Sequence, residues 1–141
     1  MKKVEIPNIE SLESILSKHL NFFSQDKCYA FKGEMGAGKT TLIQKLLELR
    51  GVKELQGSPT YSIINEYQTS KGIALYHLDC YRIKNDLEAF ELGLEELLSK
   101  KNPIFIEWPE NINAFLPPDT IWLRLRVSEN QIRTIEIADE H

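Results

Sequence analysis

The segment Gly33-Glu34-Met35-Gly36-Ala37-Gly38-Lys39-Thr40 matches the spacing GxxxxGK[ST] at every fixed position, and no other feature of the chain limits its fold as tightly. The pattern carries meaning only between a strand and a helix. Cys28-Tyr29-Ala30-Phe31 is a short apolar run that stops at Lys32-Gly33, the form of a buried strand entering a glycine turn. Downstream, Thr40 to Arg50 places Leu42, Ile43, Leu46, Leu47 and Leu49 on a broad apolar helical face, with Gly51 as its C-terminal cap. Glycines suit such a loop because several backbone N–H groups must converge on phosphate oxygens, and side chains there would block the approach. Lys39 is then expected to neutralise the β- and γ-phosphates and Thr40 to offer its hydroxyl to Mg²⁺, with the helix N-terminus aimed at the anion.

The rest of the chain reads as the continuation of an α/β domain. Leu12, Ile15, Leu16 and Leu20 have helical spacing, so an amphipathic helix over Ser11 to Leu20 is expected to open it. Residues 61–67 and 73–79 read as strands joined by a turn at 68–72, and Asp86 to Lys101 as a helix capped by Asn85 or Asp86 and interrupted at Gly93. Pro103-Ile104-Phe105-Ile106-Glu107 has the continuous apolar character of a buried parallel strand. Alternation over 121–127 and 131–138 predicts a terminal hairpin. The expectation is one P-loop NTPase-type domain over 1–141: three layers, a mainly parallel central sheet and a C-terminal antiparallel hairpin.

A phosphate loop specifies a ligand class, and chemistry also needs carboxylates near the metal. Asp79 and Glu107 end their predicted strands, at the sheet edge where the loop also lies, so one of them is expected to act as the metal-binding acid. Position does not say which. Ser58-Pro59-Thr60 falls where phosphate-sensing segments of nucleotide switches lie, but by the residues alone an ordinary turn is the better account. Trp108 follows the acid directly and is open to three readings: stacking on an adenine, shielding the site, or packing in the core. His77 shares a strand face with Asp79 and reads as a hydrogen-bonding neighbour, since Mg²⁺ prefers oxygen. Arg82 is the arginine expected near the site, whereas Arg124, Arg126 and Arg133 read as a charged edge on the terminal hairpin.

Guanine-nucleotide switches need DxxG and [NT]KxD motifs, and neither occurs; Ile83 stands where the second would begin. The arginine-bearing lid of a small-substrate kinase has little room in 141 residues. ATP is therefore favoured by elimination. A formal charge of −4 argues against direct capture of a polyanion, two separated cysteines fit a reducing compartment, and no apolar run reaches membrane-spanning length, so a cytoplasmic protein is expected.

Taken in series, Gly33 to Thr41, Ser58-Pro59-Thr60-Tyr61 with Asn65-Glu66-Tyr67, His77-Leu78-Asp79-Cys80-Tyr81-Arg82 and Ile106-Glu107-Trp108-Pro109-Glu110 resemble the bacterial TsaE family in order and spacing. Met35 and Cys80 are small departures, at positions where leucine and an apolar residue are usual. The resemblance implies a P-loop ATPase of tRNA threonylcarbamoyladenosine biosynthesis, using ATP and Mg²⁺, that works with the TsaB–TsaD heterodimer and meets tRNA only through that partner. It further implies nucleotide contacts from Glu34, Met35, Gly36, Ala37, Gly38, Lys39, Thr40 and Thr41, a switch role for Thr60, and catalytic roles for Lys39, Asp79 and Glu107. A small-molecule kinase and an ATP-dependent binding module remain the alternatives.

Overall fold

The computed structural model describes residues 3–34, 36–53 and 62–138. Seven strands form one sheet in the order β1-β7-β6-β2-β5-β4-β3. Along the chain these are β1 (Lys3–Ile6), β2 (Cys28–Lys32), β3 (Ile64–Gln68), β4 (Ala74–Asp79), β5 (Ile104–Glu107), β6 (Ile121–Val127) and β7 (Arg133–Ala138). The helices are α1 (Leu12–Lys18), α2 (Lys39–Leu49), α3 (Asp86–Glu91) and α4 (Leu94–Leu98), with a 3-10 segment over Pro109–Phe115.

The sheet is mixed, which corrects the expectation of a mainly parallel one. Strands β6, β2, β5 and β4 run parallel, while β1–β7, β7–β6 and β4–β3 pair antiparallel. Hairpins account for two of the antiparallel pairs; the third comes from β1, which precedes the expected opening helix. Four residues with a single buried side chain, Ile6, carry too little periodicity to announce a strand, and pairing with β7 supplies the missing ladder. Because β1 covers it, β7 is not the sheet edge that the terminal hairpin suggested.

Alternation along the central strands feeds two separate cores. Tyr29, Phe31, Leu75 and Phe105 face α1 and α2, where they meet Leu12, Leu16, Leu42, Ile43, Leu46 and Leu47. Cys28, Tyr76, Leu78, Ile104 and Ile106 face the other way, against Ala89 of α3, Leu94 and Leu97 of α4, and Ile112. Each buried aliphatic or aromatic side chain contributes about 1.5–3 kcal/mol, so both helical layers are held by the same strands. The stacked rings of Tyr29 and Phe105, 5.2 Å apart, tie β2 to β5 beneath the site.

Local chemistry explains the helix ends. Asn85 caps α3 by accepting the Glu88 N–H at 2.8 Å, and Gly93, at φ 79°, separates α3 from α4 at the expected interruption. Helix α2 closes through Gly51, whose N–H bonds the Glu48 carbonyl while Val52 N–H reaches Leu47. Among the described residues, no helix is long and apolar enough to cross a membrane.

Candidate functional site

The parallel strands β2, β5 and β4 end along one edge, and the site is built there. β2 leads into the loop at 33–38, and α2 begins at Lys39. Gly33 lets the loop leave the sheet tightly against β6, since a Cβ there would lie 2.8 Å from the Leu125 carbonyl oxygen. Gly38 caps α2 at φ 92°, a left-handed conformation that side chains disfavour. The first-turn N–H groups of α2 have no acceptors within the helix and so open toward the loop.

Asp79 and Glu107 are direct register partners at the tips of β4 and β5. Glu107 is only 4% exposed. Its carboxylate accepts the Thr40 hydroxyl, 2.8 and 3.0 Å from the two oxygens, and the His77 Nε2–H at 2.6 Å. The expected role of His77 as a hydrogen-bonding neighbour therefore holds, though its partner is Glu107 rather than Asp79. The other ring nitrogen of His77, Nδ1, is buried with no hydrogen-bond partner among the described residues. Asp79 is half-buried, and its Oδ1 accepts the backbone N–H of Tyr81 at 3.2 Å.

Lys39 is 5% exposed; its Nζ donates to the Gly33 carbonyl at 2.7 Å and sits 3.7 Å from the centre of the Trp108 ring. Burial pulls the ammonium pKa below the ordinary lysine value, against the opposing pull of Glu107, Glu110 and Asp79. Trp108 itself takes left-handed backbone angles, φ 56° and ψ 50°, rare for a bulky residue and a form of strain that concentrates at functional positions. Tyr81 packs edge-on to its indole, with ring centres 5.0 Å apart. Of the three readings of Trp108, two have contacts behind them: its indole covers the lysine of the loop, and it also packs against the second core.

A cleft of about 430 Å³ brings together Lys39, Thr40, Thr41, Asp79, Glu107 and Trp108. An adjoining cleft of about 870 Å³ shares Gly36 and Trp108 with it and is lined by Lys32, Glu34, Ala37 and Arg124. Met35 and Thr60 lie outside the described residues.

The arginines are distributed differently from the expectation. Arg82 does not line the smaller cleft, whereas Arg133 does. The signal for this was present in the alternation of β7: Arg133 shares a face with Ile135 and Ile137, both of which pack on the core. Arg124 and Arg126 both line the larger cleft, and Arg126 also pairs with Glu136 at 3.1 Å.

The donor set suits magnesium with a phosphate ligand. Thr40 and Glu107 present oxygen atoms side by side, with a second carboxylate on the neighbouring strand tip. Among the described residues, no group of three or more His, Cys, Asp or Glu side chains could hold a metal ion alone. Magnesium is commonly held by one or two carboxylates, substrate phosphates and water, so this sparse set fits it.

The family model described as "Threonylcarbamoyl adenosine biosynthesis protein TsaE" matches residues 6–135. A Rickettsia prowazekii tRNA threonylcarbamoyladenosine biosynthesis protein TsaE is 39% identical over 110 residues, covering 77% of this chain and 75% of that one. The protein of the same name from Bacillus subtilis is 30% identical over 128 residues, covering 91% and 79%. A crystal structure of Bacillus subtilis YdiB superposes with a TM-score of 0.75 at 26% identity, covering 96% of this chain and 82% of that one. The match runs from β1 into β7 and takes in the glycine loop and both acidic strand tips, and the chain belongs to the TsaE family.

Proposed function

We propose that this chain is a Mg²⁺-dependent ATPase of tRNA threonylcarbamoyladenosine biosynthesis, working in the cytoplasm with the TsaB–TsaD heterodimer. The observation that carries the ATPase reading is the Thr40 hydroxyl on the Glu107 carboxylate, at the start of the helix that follows the glycine loop. The pathway follows from the family, which is named for threonylcarbamoyl adenosine biosynthesis.

The residues divide the work by position. The loop amides and Lys39 bind the phosphates; one of the three ammonium N–H donors is used on Gly33, leaving two for the ligand. Thr40 and Glu107 would hold Mg²⁺, with His77 fixing the orientation of the carboxylate. When bound, the ion neutralises charge on the transferring phosphoryl group. Asp79, on the adjacent strand tip, orients the attacking water, and Trp108 excludes bulk solvent from above Lys39. Catalysis by this chain is thus mainly positioning and electrostatics.

Phosphate release from ATP, measured for the isolated chain and again with TsaB–TsaD present, tests the reading. Slow turnover alone and faster turnover in the complex are expected; equal rates would refute the coupling. Lys39→Ala should abolish Mg·ATP uptake in calorimetry, and failure of the native chain to take up millimolar Mg·ATP would remove the proposal.

A further inference from the structure

We infer that Arg133 is a second phosphate-binding cation of this site, carried on the last strand and set against the glycine loop. The inference rests on the ATPase reading and adds to it a residue 94 positions beyond Lys39 in the chain. Arg133 opens β7, where its backbone is paired to Val127 of β6 on one side and to Ile6 of β1 on the other. A side chain on a strand paired on both sides is held more firmly than one on a loop.

From there the guanidinium reaches the loop itself. A Cβ on Gly38 would come within 3.0 Å of Arg133 Nε and 3.4 Å of its Cζ, so the group lies directly against the peptide that starts α2. Its side chain lines the cleft that also contains Lys39, Thr40, Asp79 and Glu107.

Nothing described in the structure explains the charge. Among the described residues, no ion pair joins Arg133 to a carboxylate, and its buried Nε has no hydrogen-bond partner. A buried N–H without an acceptor is unfavourable, and in native proteins such a group calls for an explanation. Phosphate oxygens provide one, because the planar guanidinium offers several N–H donors in the geometry that phosphate accepts. An arginine needed only to fill space between β7 and α2 would be replaceable by an apolar residue of similar length.

Calorimetric titration of the full chain with Mg·ADP and Mg·ATP over a series of NaCl concentrations separates these roles. Arg133→Met keeps the length of the side chain and removes its charge; Arg133→Lys keeps the charge. The expected result is a loss of roughly 10- to 100-fold in affinity for both nucleotides in Arg133→Met, with a shallower salt dependence and an unchanged thermal midpoint. Arg133→Lys should retain most of the affinity. Native-like binding by Arg133→Met would overturn the inference. So would equal losses in both variants accompanied by matching falls in thermal midpoint, which would mark Arg133 as support for the loop. Absence of binding by the native chain would remove the ATPase reading, and this inference with it; binding by the native chain with no effect of Arg133→Met removes the inference alone.

Discussion

The tips of β4 and β5 stand side by side in one register, yet they offer their carboxylates on different terms. Glu107 is buried and held by both Thr40 and His77, so its oxygens are fixed before any ligand arrives. Asp79 is half-buried, accepts a backbone N–H from Tyr81, and begins the turn that leads toward α3. Burial explains the contrast. The four residues of β5 are covered on both faces by the two cores, whereas β4 pairs on its far side with β3, at the end of the sheet. Two acids of equal standing in the sequence thus become a rigid carboxylate and an accessible one, the pairing expected where one group holds an ion and its neighbour handles water.

The contrast can be tested most strongly just beyond the β4 tip. Cys80 is fully buried, and that burial, followed by the charges of Asp79, Glu107 and Glu110, raises its thiol from an ordinary 9.0 to about 12. The reactive thiolate is therefore scarcer by about a thousandfold. Native protein at pH 8 should resist iodoacetamide at Cys80, with alkylation appearing only on unfolding; mass spectrometry of the digested chain, which separates the Cys80 peptide from that of Cys28, reads this directly. Ready modification in the native state would mean that the β4 tip opens far more than its packing implies.

Stability separates the two acids next. Glu107→Ala deprives Thr40 and the buried His77 of their acceptor and should lower unfolding free energy by about 2–3 kcal/mol. Asp79→Ala loses one side-chain acceptor for the Tyr81 backbone N–H and should stay within about 1 kcal/mol. Denaturant midpoints at constant slope measure both, and equal shifts would erase the distinction between the two acids. The third effect concerns the ion. His77→Ala removes the donor that orients Glu107, so Mg²⁺ affinity in the presence of a nucleotide should fall roughly 10- to 100-fold. An unchanged magnesium titration would leave His77 as a packing residue.

Much of this architecture was legible because it is local. The strand–loop–helix unit, the Asn85 cap, the interruption at Gly93 and the acidic ends of β4 and β5 all rest on residues within a few positions of one another. The features that were not legible involve partners distant in the chain. Strand β1 is too short to show a pattern and exists through β7, and that pairing also removes the edge that the alternation around Arg133 suggests. The partner of His77 lies 30 residues away, and that of Thr40 lies 67 away.

By itself, then, the order of residues determined which groups are available and which local shapes they take: a glycine-rich turn ahead of an amphipathic helix, and carboxylates at strand ends. Tertiary structure alone decided which of those groups meet. Only the stacking of β4, β5 and β2 sets Glu107 against Thr40 and His77, and only the β1–β7–β6 ladder swings Arg133 onto Gly38. The physical reason is that periodicity and capping act over one or two turns of chain, whereas burial and hydrogen bonding between strands depend on packing that no short stretch contains.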